Sequence, residues 1–298
     1  SLAEEENTFQ LYRFANPSQE SFLQEATQEL LNVPKKERTQ VVVKELKKLV
    51  SAQKKRLLGE IDPGWFFEIL KNESPQIISL VLQNLPQDQA KGVLEKLSSD
   101  LKKKIPKLDK NFKLSEDILE IVRSRFESHF AAITPPERSA EIDLHHLYFI
   151  KVEELFALFR DLGVEQLARA FQGLYKGALK ALLNRLPIKD AKELQARVKI
   201  LEKLSVREMK EAQMLLLNLP IETIEPDDLF LEVGMVFFSK GITRSDRDFL
   251  RALQYKLPPK YGYLLKRYVD GSLSSTKPAV VEWARRHILD KFQNFPTD

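Results

Sequence analysis

The chain has 298 residues, of which 43% are hydrophobic and 30% are charged, and its formal net charge is +4. This length predicts about two domains or an elongated helical array. The sequence has no run of about 18 uncharged apolar residues and no start with a basic n-region and an apolar h-region, so it predicts a soluble protein without a signal peptide.

The residue types that most cofactor and metal chemistry requires are missing or scattered. The chain has no cysteine, which excludes disulfides and thiolate ligands and favours a reducing compartment such as the cytosol. Among four histidines only His145 and His146 are close, and neighbours on a helix or strand point in different directions. Neither G-x-G-x-x-G nor G-x-x-x-x-G-K-[ST] occurs. We therefore predict no catalytic residue, no metal site and no cofactor, and a protein that is not an enzyme.

The charge is unevenly distributed along the first 56 residues. Residues 1–33 carry six Glu against one Arg, whereas residues 34–56 carry nine Lys or Arg against two Glu. Between Pro34 and Leu58 the apolar residues follow helical spacing, with lysines interleaved. This basic face is either a solvated helix surface or a docking face for an acidic partner or for the acidic first 33 residues.

From residue 62 onward, prolines divide the chain into short apolar segments. Proline suits the first turn of a helix and disfavours helix in the residue before it. The first group of predicted helices is Pro63–Lys71, Pro75–Asn84, Pro86–Leu97, Asp100–Ile105 and Ser115–Phe130. The second group is Val152–Phe159, Val164–Gln172, Ala178–Leu186, Ile188–Ile200 and Ser205–Leu219. The third group is Asp227–Phe238, Arg244–Lys256, Pro259–Val269 and Lys277–Phe292, and the strand-like "LHHLYFI" and "VFF" are not assigned to a sheet.

A leucine-rich phrase recurs three times in the chain. "LVLQNLPQDQAKGVLEKL", "RAFQGLYKGALKALLNRL" and "RALQYKLPPKYGYLLKRY" each combine an apolar residue and a glutamine, a break, and a second apolar helix. One such helix pair is too small to bury its own apolar face, so neighbouring pairs must stack. The sequence therefore predicts an all-α fold, a right-handed stack of short helices in armadillo-like repeat modules.

Two stretches resemble the flagellar motor switch protein FliG family. "NESPQIIS", followed by "DQA" and "VL", is similar to the family's middle-domain signature Asn-Glu-His-Pro-Gln-x-Ile-Ala and its continuation, over about residues 59–130. "LFALFRDLGVEQLARAFQGLYKGALKALLNRLP" and "LSVREMKEAQMLLL" resemble the carboxy-terminal domain. The predicted domains are an amino-terminal helical segment 1–58, a middle-like module 59–131, a linker 132–143, a carboxy-terminal-like module 144–225 and a helical module 226–298.

The resemblance implies a docking surface for a FliM-like switch protein at the middle-domain signature. Its residues here are Glu73, Ser74, Pro75 and Gln76, with Ser74 in place of the family histidine. Pro75 fixes the start of a helix, Glu73 can cap free N–H groups, and Gln76 can donate and accept hydrogen bonds beside an apolar rim. The same residues also fit a simple helix cap without docking, so both interpretations stay open.

In the family, a charged helix of the carboxy-terminal domain faces the stator protein MotA, and its counterpart here is "LPIKDAKELQARV". The basic position is kept as Lys189, followed by Asp190, whereas the family's acidic pair falls on Ala196 and Arg197. The lysine of the family's A-L-K-G text is replaced by Gln172. This reversal of charge should repel a partner built for the original signs.

The resemblance therefore implies a non-enzymatic scaffold or adaptor at the cytoplasmic base of a bacterial membrane machine, without standard stator-driven torque. The machine would be a flagellar switch or a platform like that of type III secretion. Its partners would be a FliM-like switch protein and a FliF-like membrane-ring protein, with self-assembly into a ring, peripheral to the inner membrane and without nucleic acid. The alternative is a basic helical-repeat protein that binds nucleic acid.

Overall fold

The computed structural model describes residues 58–106, 121–122, 124–126, 128–130, 141–172, 176–217, 219–273 and 276–294. Contacts divide the chain into two compact units, Ser1–Leu58 and Gly59–Asp298. The predicted amino-terminal segment 1–58, with its basic face, and most of the predicted linker 132–143 lie outside the described residues. The second unit carries all helices discussed below.

Four short helices open the second unit, and side-chain caps explain where three of them begin. They are α1 (Pro63–Leu70), α2 (Pro75–Asn84), α3 (Gln87–Lys96) and α4 (Ser99–Lys104). The Asp62 side chain accepts a hydrogen bond from the N–H of Gly64 at 2.7 Å, and Ser98 Oγ accepts one from the N–H of Leu101 at 3.3 Å. Such caps satisfy N–H groups that have no partner within the helix. The predicted starts are therefore correct to within one residue.

The described residues after position 150 form eight α-helices. They are α5 (Val152–Phe171), α6 (Lys176–Leu183), α7 (Ile188–Ile200), α8 (Val206–Leu217), α9 (Leu229–Lys240), α10 (Arg247–Lys256), α11 (Pro259–Leu273) and α12 (Pro278–Gln293). Short 3-10 helices cover Leu144–Tyr148, Ile221–Thr223, Pro226–Asp228 and Arg244–Asp246. The described ranges contain no strand, so the predicted all-α class is confirmed. "LHHLYFI" contains a 3-10 helix and "VFF" lies inside α9.

Each recurring phrase spans two helices with a break between them. The three pairs are α2 with α3, α5 with α6, and α10 with α11. Leu97 and Leu186, which occupy the same place in the first two phrases, are both buried. The right-handed, armadillo-like order of stacking stays a prediction.

Helix α5 corrects one prediction, because the two helices expected at Val152–Phe159 and Val164–Gln172 form a single helix. The gap between the two predicted helices covered residues 160–163 and ended at Gly163, a residue that disfavours helix interiors. In the fold, Gly163 instead allows close packing, because a Cβ there would overlap the carbonyl oxygen of Phe230 in α9. Gly234 is the reciprocal case, since its Cβ would overlap the carbonyl oxygen of Phe159 in α5.

The pair of α5 and α9 forms the centre of the core. Phe159 and Phe238 are fully buried, and their rings meet edge to face with centroids 5.2 Å apart. Almost every residue of α9 is buried, including Val233, Met235 and Phe237. A helix that is apolar on all sides must be covered on all sides. Helix α9 belongs to the predicted module 226–298 but packs mainly on α5 of the predicted module 144–225; the predicted domain boundaries stay predictions.

Trp65 of α1 joins the first four helices to α10 and α11. Its indole Nε1 donates a hydrogen bond to the carbonyl oxygen of Leu257 at 2.8 Å, and its ring meets Tyr255 and Tyr263 at 4.7 and 4.8 Å. The N–H of Asp62 also bonds to the Tyr255 carbonyl oxygen at 2.9 Å. A buried indole with a satisfied N–H is a strong anchor. The start of the middle-like module is therefore held by residues near position 255.

Within the described ranges, no helix combines the length and the apolar character that crossing a bilayer requires.

Candidate functional site

The signature turn, which we define as Glu73, Ser74, Pro75 and Gln76, connects α1 to α2. The N–H of Glu73 donates to the Leu70 carbonyl oxygen at 2.9 Å, which closes the end of α1. Pro75 occupies the first turn of α2, where its fixed φ and missing N–H cost nothing. The four residues therefore form a rigid connection between two helices.

The cap of α2 corrects the prediction that Glu73 caps the helix. Ser74 is the N-cap residue, in extended conformation, and its Oγ accepts a hydrogen bond from the N–H of Ile77 at 3.4 Å. Serine is among the best N-cap residues, because its short side chain reaches the free N–H groups of the first turn. The residue in place of the family histidine is thus the one that caps the helix, which leaves the Glu73 carboxylate available.

Glu73 faces the segment around residues 121–130. Its Oε1 lies 3.9 Å from an Nη of Arg125, and both side chains are substantially exposed. Glu73 also lines a cavity of about 150 Å³ with apolar residues that include Ile77 and Ile121. Ile121 is 66% exposed. A carboxylate beside exposed apolar surface is therefore present in the signature turn.

Gln76 is exposed and makes no hydrogen bond within the described residues. Its amide can donate and accept at the same time, which suits recognition of a partner's backbone or side chains. Ser74 is exposed as well, while Pro75 is half-buried. Of the four predicted residues, Gln76 is the one with the most unused hydrogen-bonding capacity.

The second predicted site, on α7, is largely occupied by bonds within the chain. Arg160 of α5 bonds to Asp190 Oδ1 at 2.6 Å and to Glu193 Oε2 at 2.8 Å. An Nη of Arg197 lies 2.5 Å from Asp161 Oδ1. Asp190 and Arg197 therefore face α5, whereas Lys189 is exposed.

The charged pairs between α7 and α5 continue to α12. Lys291 bonds to Asp161 Oδ2 and to Glu165 Oε2, both at 2.8 Å, and His287 Nε2 lies 3.0 Å from Glu165 Oε1. Burial acts to raise the pKa of Glu165, but the nearby His287 and Lys291 outweigh it and hold that pKa well below its usual range. This network spans three helices, and sequence reasoning missed it because its members lie up to 130 residues apart.

Gln172, which replaces the lysine of the family text, has a clear structural role. Its Nε2 donates to the carbonyl oxygens of Leu201 and Glu202 at 3.1 and 2.9 Å, and its Oε1 accepts from the N–H of Leu204 at 2.8 Å. An amide can satisfy both kinds of backbone group, which an ammonium cannot. Gln172 thereby fixes the loop between α7 and α8 to the end of α5.

No group of three or more His, Asp and Glu side chains is arranged to hold a metal ion in the described part of the chain. The histidines at 145 and 146 instead bond to Asp143, whose Oδ1 accepts from the N–H of His145 at 2.9 Å. The pair supports the short 3-10 helix at Leu144–Tyr148, whose start Asp143 caps. These histidines therefore have a local structural role.

Taken together, the described residues define an all-α protein with a rigid, exposed polar turn between two short helices, a type of surface that suits docking. Comparison with known families agrees with this class: residues 63–135 match the FliG middle domain. Residues 63–135 are therefore similar to the FliG middle domain. The match covers roughly a quarter of the chain. No curated protein and no solved structure gave a match.

The family match confirms the resemblance predicted from the signature and its continuation. It includes all four residues of the signature turn and the segment around residues 121–130. The resemblance of residues 144–225 to the carboxy-terminal domain has no such support and stays a prediction.

Proposed function

We propose that this chain is a non-enzymatic scaffold of the FliG type, at the cytoplasmic base of a bacterial membrane machine. The observation that carries the proposal is the match of residues 63–135 to the FliG middle domain, with the signature turn exposed at its surface. The partner at this turn is a FliM-like switch protein. A FliF-like ring protein would contact the amino-terminal segment, and copies of the chain would assemble into a ring.

The signature turn offers this partner a defined set of contacts. Gln76 provides an amide with no bond in the described chain, and Glu73 provides a carboxylate whose neighbour Arg125 lies at 3.9 Å. Ile77 and Ile121 line the same cavity as Glu73 and supply apolar surface there. Docking sites commonly combine an apolar centre with a few polar groups that fix orientation.

A standard stator does not fit this proposal. A stator surface would have to bind a helix whose Asp190 and Arg197 already pair with Arg160 and Asp161. Releasing those pairs would leave charges on α5 without partners, which is unfavourable. The proposed machine therefore uses the scaffold without stator-driven rotation, as in a secretion-type platform or a specialised motor.

The proposal is tested by capture of a purified FliM-like switch protein on the immobilised full chain. The double variant Glu73→Ala and Gln76→Ala should lose most of the capture while its circular dichroism stays unchanged. Lys199→Ala, an exposed change on α7 outside both predicted sites, is the matched control and should capture the partner normally. Undiminished capture by the double variant would reject this docking site.

A further inference from the structure

A large groove lies between α8, α9 and α12, on the surface of the second unit. Its volume is about 620 Å³, within the range of ~300–1000 Å³ that is common for binding sites. Its apolar walls include Val206, Met214, Leu215, Phe237, Val280 and Trp283. This surface is separate from the signature turn, and the proposed function makes no use of it.

Two hydrogen-bond donors that line the groove have no partner. Gln166 is 1% exposed, and its Nε2 has no acceptor among the described residues. Lys240 also lines the groove and has neither a hydrogen bond nor an ion pair in the described part of the chain. Burial alone lowers the pKa of the Lys240 ammonium. An ammonium without an ion pair beside apolar walls favours a partner's carboxylate, which can accept a charge-assisted hydrogen bond from Lys240.

The shape of the site favours a helix over a compact ligand. Val206, Met214 and Leu217 are 65%, 58% and 77% exposed, and their spacing puts them on one face of α8. Eleven residues of helix extend over roughly 16 Å. Such an exposed apolar strip is the usual seat of an amphipathic helix, whose side chains at i, i+3 and i+4 fill it.

We propose that this groove binds an acidic amphipathic helix of a partner protein. Apolar side chains of that helix pack on Val206 and Met214 in the groove and on the neighbouring Leu217, and one of its carboxylates receives a hydrogen bond from Lys240. The charges agree with an acidic partner, because the groove is lined by Lys210 and Lys240 against a single acid, Glu211. The favourable pairing of opposite charges would also fix the direction of the bound helix.

The test uses a displayed library of 16-residue helical peptides with one fixed apolar face and random polar positions. The library is selected on the full chain, and binders to the Met214→Ser variant are subtracted. Met214 is more than half exposed, so this variant should fold, and it removes an apolar contact without adding charge. The selected peptides should be enriched in Asp and Glu. Ile200→Ser is the matched control, because Ile200 is 79% exposed and does not line the groove.

Affinity measurements on the selected peptides then test the role of Lys240. Lys240→Met should weaken binding by about tenfold or more, as expected for a hydrogen bond between charged groups. The reciprocal change of peptide Glu to Gln, made on the unaltered chain, should give a similar loss.

Three results would overturn the proposal. The first is a selection that yields no peptide dependent on Met214. The second is a set of Met214-dependent peptides without a preference for acidic residues. The third is a concentration-dependent dimer of the chain, detected by sedimentation equilibrium and abolished by Met214→Ser, which would assign the groove to a second copy.

Discussion

Arg197 of α7 and Asp161 of α5 form an ion pair, with Nη2 and Oδ1 2.5 Å apart. Arg197 is the residue at which the predicted carboxy-terminal resemblance expects an acidic side chain, and in this chain its charge pairs with Asp161. Asp161 also bonds to Lys291 of α12 at 2.8 Å. The charge of Arg197 on α7 is therefore balanced by Asp161 on the neighbouring helix of the same chain.

Replacing Arg197 by aspartate should destabilise the fold by about 1–3 kcal/mol, because it puts two carboxylates together and removes a partly buried partner of Asp161. The free energy of unfolding in urea measures the effect. Lys199→Asp is the control for the same change of charge at an exposed position of α7, and it should cost less than about 0.5 kcal/mol. Equal losses for both variants would show that the ion pair contributes nothing specific.

Replacing Gly163 by alanine should be severely destabilising, by about 3 kcal/mol or more, because its Cβ would overlap the Phe230 carbonyl oxygen and force α5 and α9 apart. Gly271→Ala in α11 is the control, since a Cβ there has no atom within 4 Å. Alanine favours helix over glycine, so this control should stabilise by about 0.5–1 kcal/mol. Thermal unfolding followed by circular dichroism compares the two, and a mild effect of Gly163→Ala would contradict the close crossing.

Local features of the fold could be predicted from the sequence, whereas long-range contacts could not. Helix starts at Pro63, Pro75 and Pro259 followed from the fixed backbone of proline, which acts locally. The continuous helix across residues 160–163 could not be predicted. The close contact that requires Gly163 is made with Phe230, which lies 67 residues later in the chain. A sequence pattern indicates how a residue affects the backbone of its own segment. It carries little information on which distant segment will pack against that residue.

The candidate site shows the same division. The position of the signature turn was correct, since its residues are contiguous and proline defines their backbone. The helix cap was assigned to Glu73, but Ser74 is the N-cap residue. Both residue types are common near helix starts, so the choice between them depends on the backbone φ and ψ angles at one residue. Asp190 and Arg197 were predicted to contact a partner, and their bonds to Arg160 and Asp161 could not be read from charge pattern alone.

The buried carboxylate of Glu165 should make the stability of the protein depend on pH. Its pKa in the folded chain is lower than its ordinary value of about 4.3, so the unfolded chain binds a proton more readily. The stabilisation is complete above the ordinary value and is lost as the pH falls from about 5 towards the folded pKa. One extra proton on unfolding contributes a slope of up to about 1.4 kcal/mol per pH unit.

Urea unfolding of the Glu165→Gln variant between pH 6 and pH 3 measures this contribution. The variant should be less stable than the natural chain at pH 6, and the difference between them should shrink as the pH falls. Glu95→Gln, at an exposed position of α3, should leave the pH profile as it is in the natural chain. A constant difference between Glu165→Gln and the natural chain at every pH would contradict the ion pairing of Glu165 with His287 and Lys291.

Two single substitutions in the signature turn should separate the capping role from the docking role. Ser74→Ala removes the acceptor for the Ile77 N–H, so it should lower the free energy of unfolding by about 0.5–2 kcal/mol. Gln76→Ala removes an exposed amide that has no bond in the described chain, so it should change stability by less than about 0.5 kcal/mol.

Capture of a FliM-like switch protein, measured on the same two variants, distinguishes the roles. Docking through the signature turn predicts that Gln76→Ala weakens capture about tenfold at unchanged stability, because a directional contact to the partner is lost. Ser74→Ala should weaken capture only as far as it unfolds the start of α2, and lowering the temperature should restore it. If Gln76→Ala captures the partner as well as the natural chain does, the turn serves as a helix cap alone, and the docking surface must be sought elsewhere on the middle domain.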